Sequence, residues 1–314
     1  MLTALYLAAG VLFLYFGADW LVRGSSTLAL RFGVPSLVVG LTVVAFGTSA
    51  PEMVVSIKTG LAGFGGMAIG NVVGSNIFNI AVILGLSALV RPIRVNVQVL
   101  KVDTPLMVLI SAVLFLLLRD GVVSRAEAVL LFAGIVVYTV LTIYLGRKSQ
   151  KEMPKGEAKS LDVKVTGTAW GDLFWIILGL GALVAGSNLF VKGAINLATA
   201  LRVSQTIIGL TIVAFGTSLP ELATSIVAAA KKQEDIAIGN IIGSNIFNIL
   251  AILGISGMLR PLQAQGVGTI DLMFMLGTAI LLLPMMRTRF KLGRLEGAFF
   301  LLIYGTYLWV LWPK

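Results

Sequence analysis

Two copies of one short stretch hold the residues best suited to chemistry. The first reads Gly47-Thr48-Ser49-Ala50-Pro51-Glu52, the second Gly216-Thr217-Ser218-Leu219-Pro220-Glu221. Each follows an apolar run, Val43-Val44-Ala45-Phe46 and Ile212-Val213-Ala214-Phe215. A carboxylate in such surroundings is costly to desolvate and needs a partner. Thr48 and Ser49 fall within about one helical turn of Glu52, so their oxygens can converge with its carboxylate. Two such stretches predict a cage for a hard cation. Proline lacks an N–H and clashes with the preceding turn, and glycine lets the chain bend, so each stretch should break its helix. The break is expected to free the carbonyls of Ala45 and Ala214, at the negative end of the first half-helix, for a cation. The plainer reading is a proline-kinked helix whose Glu caps its second half. It does not account for an acid at membrane depth in both copies.

A second stretch is also doubled. Gly70-Asn71-Val72-Val73-Gly74-Ser75-Asn76-Ile77-Phe78-Asn79 recurs as Gly239-Asn240-Ile241-Ile242-Gly243-Ser244-Asn245-Ile246-Phe247-Asn248. Ser75 and Asn79 are i and i+4 on one helix face, as are Ser244 and Asn248. They can offer neutral oxygens opposite the glutamates. The glycines, four apart, allow helices to approach closely. Asn71, Asn76, Asn240 and Asn245 are read as inter-helix hydrogen-bonding residues. Asp19, Asp103 and Asp271 fall near expected span ends, where charge is tolerated.

The elements that must position these residues are membrane helices. The chain is 58% hydrophobic and 12% charged, with a mean hydropathy of +0.99. A soluble chain of 314 residues could not cover such a core. The absence of Cys and His removes disulfides, thiolate sites and His-ligated metals, leaving oxygen-bound cations. Nothing resembles a nucleotide-binding motif. The net charge of +10 fits basic loops on the inner side of a membrane rather than a nucleic-acid partner. Ten hydrophobic segments can be drawn, at roughly 2–22, 33–62, 66–90, 99–118, 122–146, 171–191, 203–230, 235–259, 268–286 and 295–312, given spans of about 20 residues. The first is read as a retained helix, not a cleaved signal.

The halves repeat with an offset of 169, and the match needs no gap from Gly10 to Pro92. This gives a five-helix repeat over 1–146, a polar linker over 147–169 and a second five-helix repeat over 170–314. An odd number of spans per half forces the second to enter from the opposite side. The fold class expected is an all-α integral membrane protein of ten transmembrane helices in two inverted-topology repeats. Its pseudo-two-fold axis would bring Glu52 and Glu221 together near the midplane. With both termini outside and the linker cytoplasmic, 17 of the 24 Lys and Arg residues lie inside. The linker is too short for a regulatory domain.

Together the doubled stretches closely resemble the two alpha repeats of Na⁺/Ca²⁺ exchangers, members of the cation/Ca²⁺ exchanger superfamily. The resemblance covers the whole transmembrane architecture and is of prokaryotic type. It implies four central cation sites, one for Ca²⁺ and the others for Na⁺. The matching positions are Ala45, Thr48, Ser49, Glu52, Ser75 and Asn79, with Ala214, Thr217, Ser218, Glu221, Ser244 and Asn248. Asn248 is Asp in some members, among them the K⁺-dependent branch, so K⁺ co-transport is not expected here. The resemblance implies that the first and sixth spans move. The expected function is electrogenic antiport of Ca²⁺ and Na⁺ across the plasma (inner) membrane by a monomeric transport unit in the lipid bilayer, without a cofactor. The alternatives are a Ca²⁺/H⁺ antiporter of the same superfamily, whose relatives tend to add acids where Ser75, Asn79, Ser244 and Asn248 stand, and a passive cation channel. A membrane enzyme is disfavoured because no His, Cys or second acid pair stands outside the cage.

Overall fold

The computed structural model describes residues 2–152, 168–201, 214–287 and 290–311. Residues 153–167 of the expected linker and 203–213 of the seventh expected segment lie outside these. In chain order the first half holds α1 (Leu2–Phe32), α2 (Ser36–Thr48), α3 (Ala50–Leu61), α4 (Gly65–Val90), β1 (Ile93–Arg94), α5 (Val99–Asp120), β2 (Val122–Val123) and α6 (Arg125–Glu152). The second half holds α7 (Ala169–Ala200), α8 (Ala214–Gly216), α9 (Leu219–Ala230), α10 (Glu234–Leu259), β3 (Leu262–Gln263), α11 (Thr269–Arg287), β4 (Lys291–Leu292) and α12 (Arg294–Leu311).

Eight of the described helices are long and apolar enough to cross a membrane. The pair α2 and α3, bent by 47°, makes a ninth span. α8 and α9 are the described part of a tenth. The first helix runs ten residues past its expected end at 22. Its last third is polar enough to end a hydrophobic window, but the hydroxyls of Ser26 and Thr27 donate back to the carbonyls of Val22 (2.8 Å) and Arg23 (3.0 Å) within the helix. α6 likewise extends through Glu152, so the first residues assigned to the linker are helical.

The inversion is visible in reciprocal pairings. Ile93 pairs with Leu292, and Leu262 pairs with Val123. Arg94 pairs with Lys291, and Gln263 with Val122. Adding 169 to one member of each pair and subtracting it from the other generates the second pair, the signature of a two-fold axis. These two antiparallel ribbons each join one repeat to the other.

Burial separates core from shell. The best membrane-length windows of α4 and α10 are 78% and 100% buried, against 22% for α6 and 17% for α12. α4 and α10 therefore form the centre, and the other helices face lipid on one side. α1 and α7 pack as a close antiparallel pair along two glycine rows spaced by seven residues. A Cβ on Gly17 would stand 2.8 Å from the Gly179 carbonyl, and one on Gly179 would stand 2.7 Å from that of Gly17. Gly10, Gly24, Gly186 and Gly193 meet the opposite helix at 2.9 Å or less in the same way. Small residues permit this backbone approach. Arg31 closes the pair at one end with an ion pair to Asp172 at 2.7 Å.

Gly17→Val is expected to destabilise the protein by about 1–3 kcal/mol, the usual range for overpacking. Gly181→Val, on the same helix pair but with nothing within 4 Å, should leave the melting temperature unchanged. Thermal unfolding in detergent measures both; equal effects would contradict the packing described.

Candidate cation site

The two Gly-Thr-Ser-x-Pro-Glu stretches break their helices as expected, but at a different carbonyl. Pro51 and Pro220 sit in the first turns of α3 and α9, where a missing N–H is tolerated. The carbonyl of Ala45 is not freed: it accepts the Ser49 N–H at 3.0 Å. A proline deprives the carbonyl four residues before it, which is Gly47 for Pro51 and Gly216 for Pro220. The Ser187 hydroxyl donates to the Gly216 carbonyl. Ala18 holds the equivalent place in the first repeat, so this substitute has no counterpart there. The Thr48 hydroxyl also lies 3.4 Å from the Ala45 carbonyl. Ala214 begins the described part of its span.

The glutamates face each other's repeat. Ser49 Oγ donates to Glu221 Oε1 at 2.8 Å, and Ser218 Oγ donates to Glu52 Oε1 at 2.8 Å. Glu52 and Glu221 are each 1% exposed. Ser218 has one proton, committed to Glu52, so Ser75 at 3.3 Å is the donor between those two hydroxyls. Thr48 and Thr217 stand within interaction range of Glu221 and Glu52 respectively. Among the described residues no Lys or Arg pairs with either carboxylate; the ion pairs lie elsewhere.

Asparagines hold this centre from outside. Asn71 Nδ2 donates to Ser56 Oγ (3.0 Å) and the Glu52 carbonyl (3.3 Å). Asn240 Nδ2 repeats this with Ser225 Oγ (3.0 Å) and the Glu221 carbonyl (3.4 Å). Its Oδ1 also meets Thr48 Oγ1 at 3.0 Å. Asn76 bridges to the Asn245 carbonyl. Three of the four asparagines thus bond between elements as expected. Asn245 departs: its amide donates to the Ile241 carbonyl of its own helix. The serines at 56 and 225 were not anticipated, although their recurrence at the repeat offset, four residues after each Glu, was a readable signal.

Asn79 and Asn248 each begin a π-helical turn within α4 and α10. Such turns are frequent at functional sites because they redirect a side chain. Several buried oxygens here have no partner among the described residues: Oε2 of Glu52 and Glu221, Oδ1 of Asn79 and Asn248, and Oγ of Ser244. A buried acceptor left unpaired costs about 1–3 kcal/mol, and more when charged. Acceptors so arranged, with a carboxylate from each repeat, are suited to a desolvated cation. No group of three or more acids occurs among the described residues. The other acids stand apart. Asp19, expected near a span end, lies within the longer α1 and pairs with Lys231. Asp103 is 1% exposed rather than at a wet interface, and Asp271 accepts from Tyr307 at 2.9 Å.

The family profile described as sodium/calcium exchanger protein matches residues 2–144 and 172–312. The chain belongs to the sodium/calcium exchanger family. It is a multi-pass membrane transporter rather than an enzyme. The exchanger is 37% identical to the putative antiporter CaxA of Alkalimonas amylolytica, over 100% of both chains. It is 33% identical to the sodium/calcium exchanger MaX1 of Methanosarcina acetivorans, over 98% of this chain and 97% of that one. Its fold matches the solved structure of the sodium-calcium exchanger NCX_Mj soaked with Na⁺ and Sr²⁺, with a TM-score of 0.85 and 33% identity over 99% of each chain. The fold of the exchanger is therefore the ten-helix, inverted-repeat architecture its sequence predicts.

Asn240 is fully buried with partners on three sides, whereas Asn71 is half-buried with two. Asn240→Leu should cost about 1–3 kcal/mol by stranding buried groups, and more than Asn71→Leu. Melting of the two variants checks the order.

Proposed function

We propose that this exchanger moves Ca²⁺ against Na⁺ across the plasma (inner) membrane by alternating access. The observation that carries the reading is the pair of crossed carboxylates, each with one oxygen held by the other repeat's serine and one oxygen without a partner among the described residues. Both repeats are needed to build one site. Its ligands are the side-chain oxygens of Thr48, Ser49, Glu52, Ser75 and Asn79, those of Thr217, Ser218, Glu221, Ser244 and Asn248, and the carbonyls of Ala45 and Ala214. Membership of the family and the names of the relatives support Ca²⁺ and Na⁺ as the loads.

One Ca²⁺ neutralises the two glutamates. About three Na⁺ in their place leave one positive charge in excess, so exchange at that ratio is electrogenic. The loads compete because they use the same two charges. Neutral Asn248 keeps the site at two carboxylates, and the neutral serine and asparagine oxygens suit Na⁺ better than H⁺ as the counter-ion.

The repeats over 1–146 and 170–314 act as the two halves of one monomeric transport unit, joined by a cytoplasmic linker at 147–169, with both termini outside. Charge supports this orientation. The face bearing the β1 and β4 ribbon carries Arg91, Arg94, Arg287, Lys291 and Arg294. At the two-fold-related face, Gln263, Leu118 and Val122 replace Arg94, Arg287 and Lys291.

Glu52→Gln and Glu221→Gln are each expected to lower Ca²⁺ transport more than about 100-fold, since a cation left half-neutralised in a buried site loses about 3 kcal/mol or more. Both should fold normally. The assay is Ca²⁺ uptake into Na⁺-loaded proteoliposomes, run with a Na⁺ gradient and with a pH gradient in turn. Wild-type exchange in either variant would refute the site. Uptake driven by the pH gradient alone would refute Na⁺ as the coupling ion.

A further inference from the structure

The two asparagines that begin the π-helical turns are equivalent by sequence but not by environment. Asn76 Nδ2 lies 3.1 Å from the carbonyl of Asn245. A carbonyl only accepts, so the amide nitrogen of Asn76 must face it and its Oδ1 must face the other way. On that side stands Asn248, whose Nδ2 donates to Asn76 Oδ1 at 3.0 Å. The amide of Asn248 is thereby fixed as well. Its nitrogen points at Asn76, and its Oδ1 points away, buried and without a partner among the described residues. One backbone carbonyl thus sets the orientation of two side chains in series. All three asparagines are at most 2% exposed, so water does not compete.

The relay is absent from the other half. Asn245, the counterpart of Asn76, donates to Ile241 of its own helix at 2.8 Å. Its Oδ1 and both amide atoms of Asn79 have no partner among the described residues. Among the described residues nothing there selects one face of the Asn79 amide over the other.

We propose that Asn76 is a positioning residue that holds the carbonyl oxygen of Asn248 toward the cation site, making position 248 the rigid neutral ligand and Asn79 the adaptable one. The proposal rests on the reading of Asn248 as an ion ligand. Outer residues that orient metal ligands commonly change affinity by 10–100-fold. A preset oxygen at 248 favours the ion whose coordination it fits, while a free amide at 79 accommodates loads of different number.

The test is a double-mutant cycle in proteoliposomes, reading KM for Ca²⁺ and kcat for Na⁺-driven uptake by the full-length chain. Asn76→Leu should raise KM about tenfold with kcat within about twofold. In an Asn248→Ala background the same substitution should change KM by less than about twofold, because the ligand it orients is gone. Asn245→Leu with Asn79→Ala serves as control and should be additive. Asn76→Ser, whose hydroxyl can both donate and accept, should fall between wild type and Asn76→Leu, and it carries the cycle if the leucine variant does not fold. Equal rises in KM in both backgrounds would overturn the proposal while leaving the site reading intact. An Asn248→Ala variant with wild-type KM would overturn both.

Discussion

The structure depends on two hydrogen bonds that cross between the repeats, each donated by a serine hydroxyl to a buried glutamate. Glu52 is held by Ser218 and Glu221 by Ser49, each across the two-fold axis. A carboxylate at membrane depth costs about 2.5–3.5 kcal/mol on insertion scales. One charge-assisted hydrogen bond returns about 1.5–3 kcal/mol. That bond offsets part of the cost of the whole carboxylate, and the second oxygen of each glutamate has no partner among the described residues. The serine that serves each acid belongs to the other repeat. The halves are thus bound to each other at their acids.

The irregular backbone follows from the same requirement. Hydrocarbon leaves no water for a stray N–H or carbonyl, so breaks in a spanning helix are confined to protein-buried positions. Most lie in the central elements: the bend of 47° between α2 and α3, the π-helical turn over Gly40–Val44 that precedes it, and the π-helical turns that begin at Asn79 and Asn248; one more, Val99–Asp103, opens α5. The helices that carry the turns at Asn79 and Asn248 are the most buried of the eight described membrane-length helices. The lipid-facing helices α6 and α12 are regular α-helix throughout their described lengths. The most buried of these helices thus carry their breaks beside the Asn oxygens, while α6 and α12 are left to packing.

Much of this was legible in the sequence because it was written twice. The offset of 169 located the acids, the prolines and the Ser and Asn pairs, and an odd number of spans per half required the inversion. What could not be read were choices among hydrogen-bond partners. Ala45 was expected to offer a freed carbonyl, yet the helix ladder closes through it, since the proline acts four residues upstream, at Gly47. Asn76 and Asn245 are the same residue type in the same motif, yet one reaches across and the other bonds its own helix. Hydropathy ended α1 too early because it scores a serine or threonine hydroxyl as polar even when the helix backbone absorbs it.

The departures from symmetry follow a pattern. The carboxylates and their serines obey the two-fold axis, while several surrounding contacts do not. Asp19 of α1 pairs with Lys231, but their equivalents are Asn188 and Ala62. Arg31 pairs with Asp172, but the equivalents are Ala200 and Thr3. Ser187 of α7 serves the Gly216 carbonyl, while Ala18 stands at the related place. All three differences involve α1 or α7, the pair that packs through glycine rows outside the central helices. For a carrier that shows one site to each side in turn, an exact two-fold would make the two exposures equal in energy, since each would be the mirror of the other's contacts. Ion pairs present at one end of α1 and α7, with uncharged equivalents at the other, would remove that equality without altering the carboxylate–serine pairs. The carboxylate–serine contacts thus obey the two-fold axis while the ion pairs of α1 and α7 around them do not.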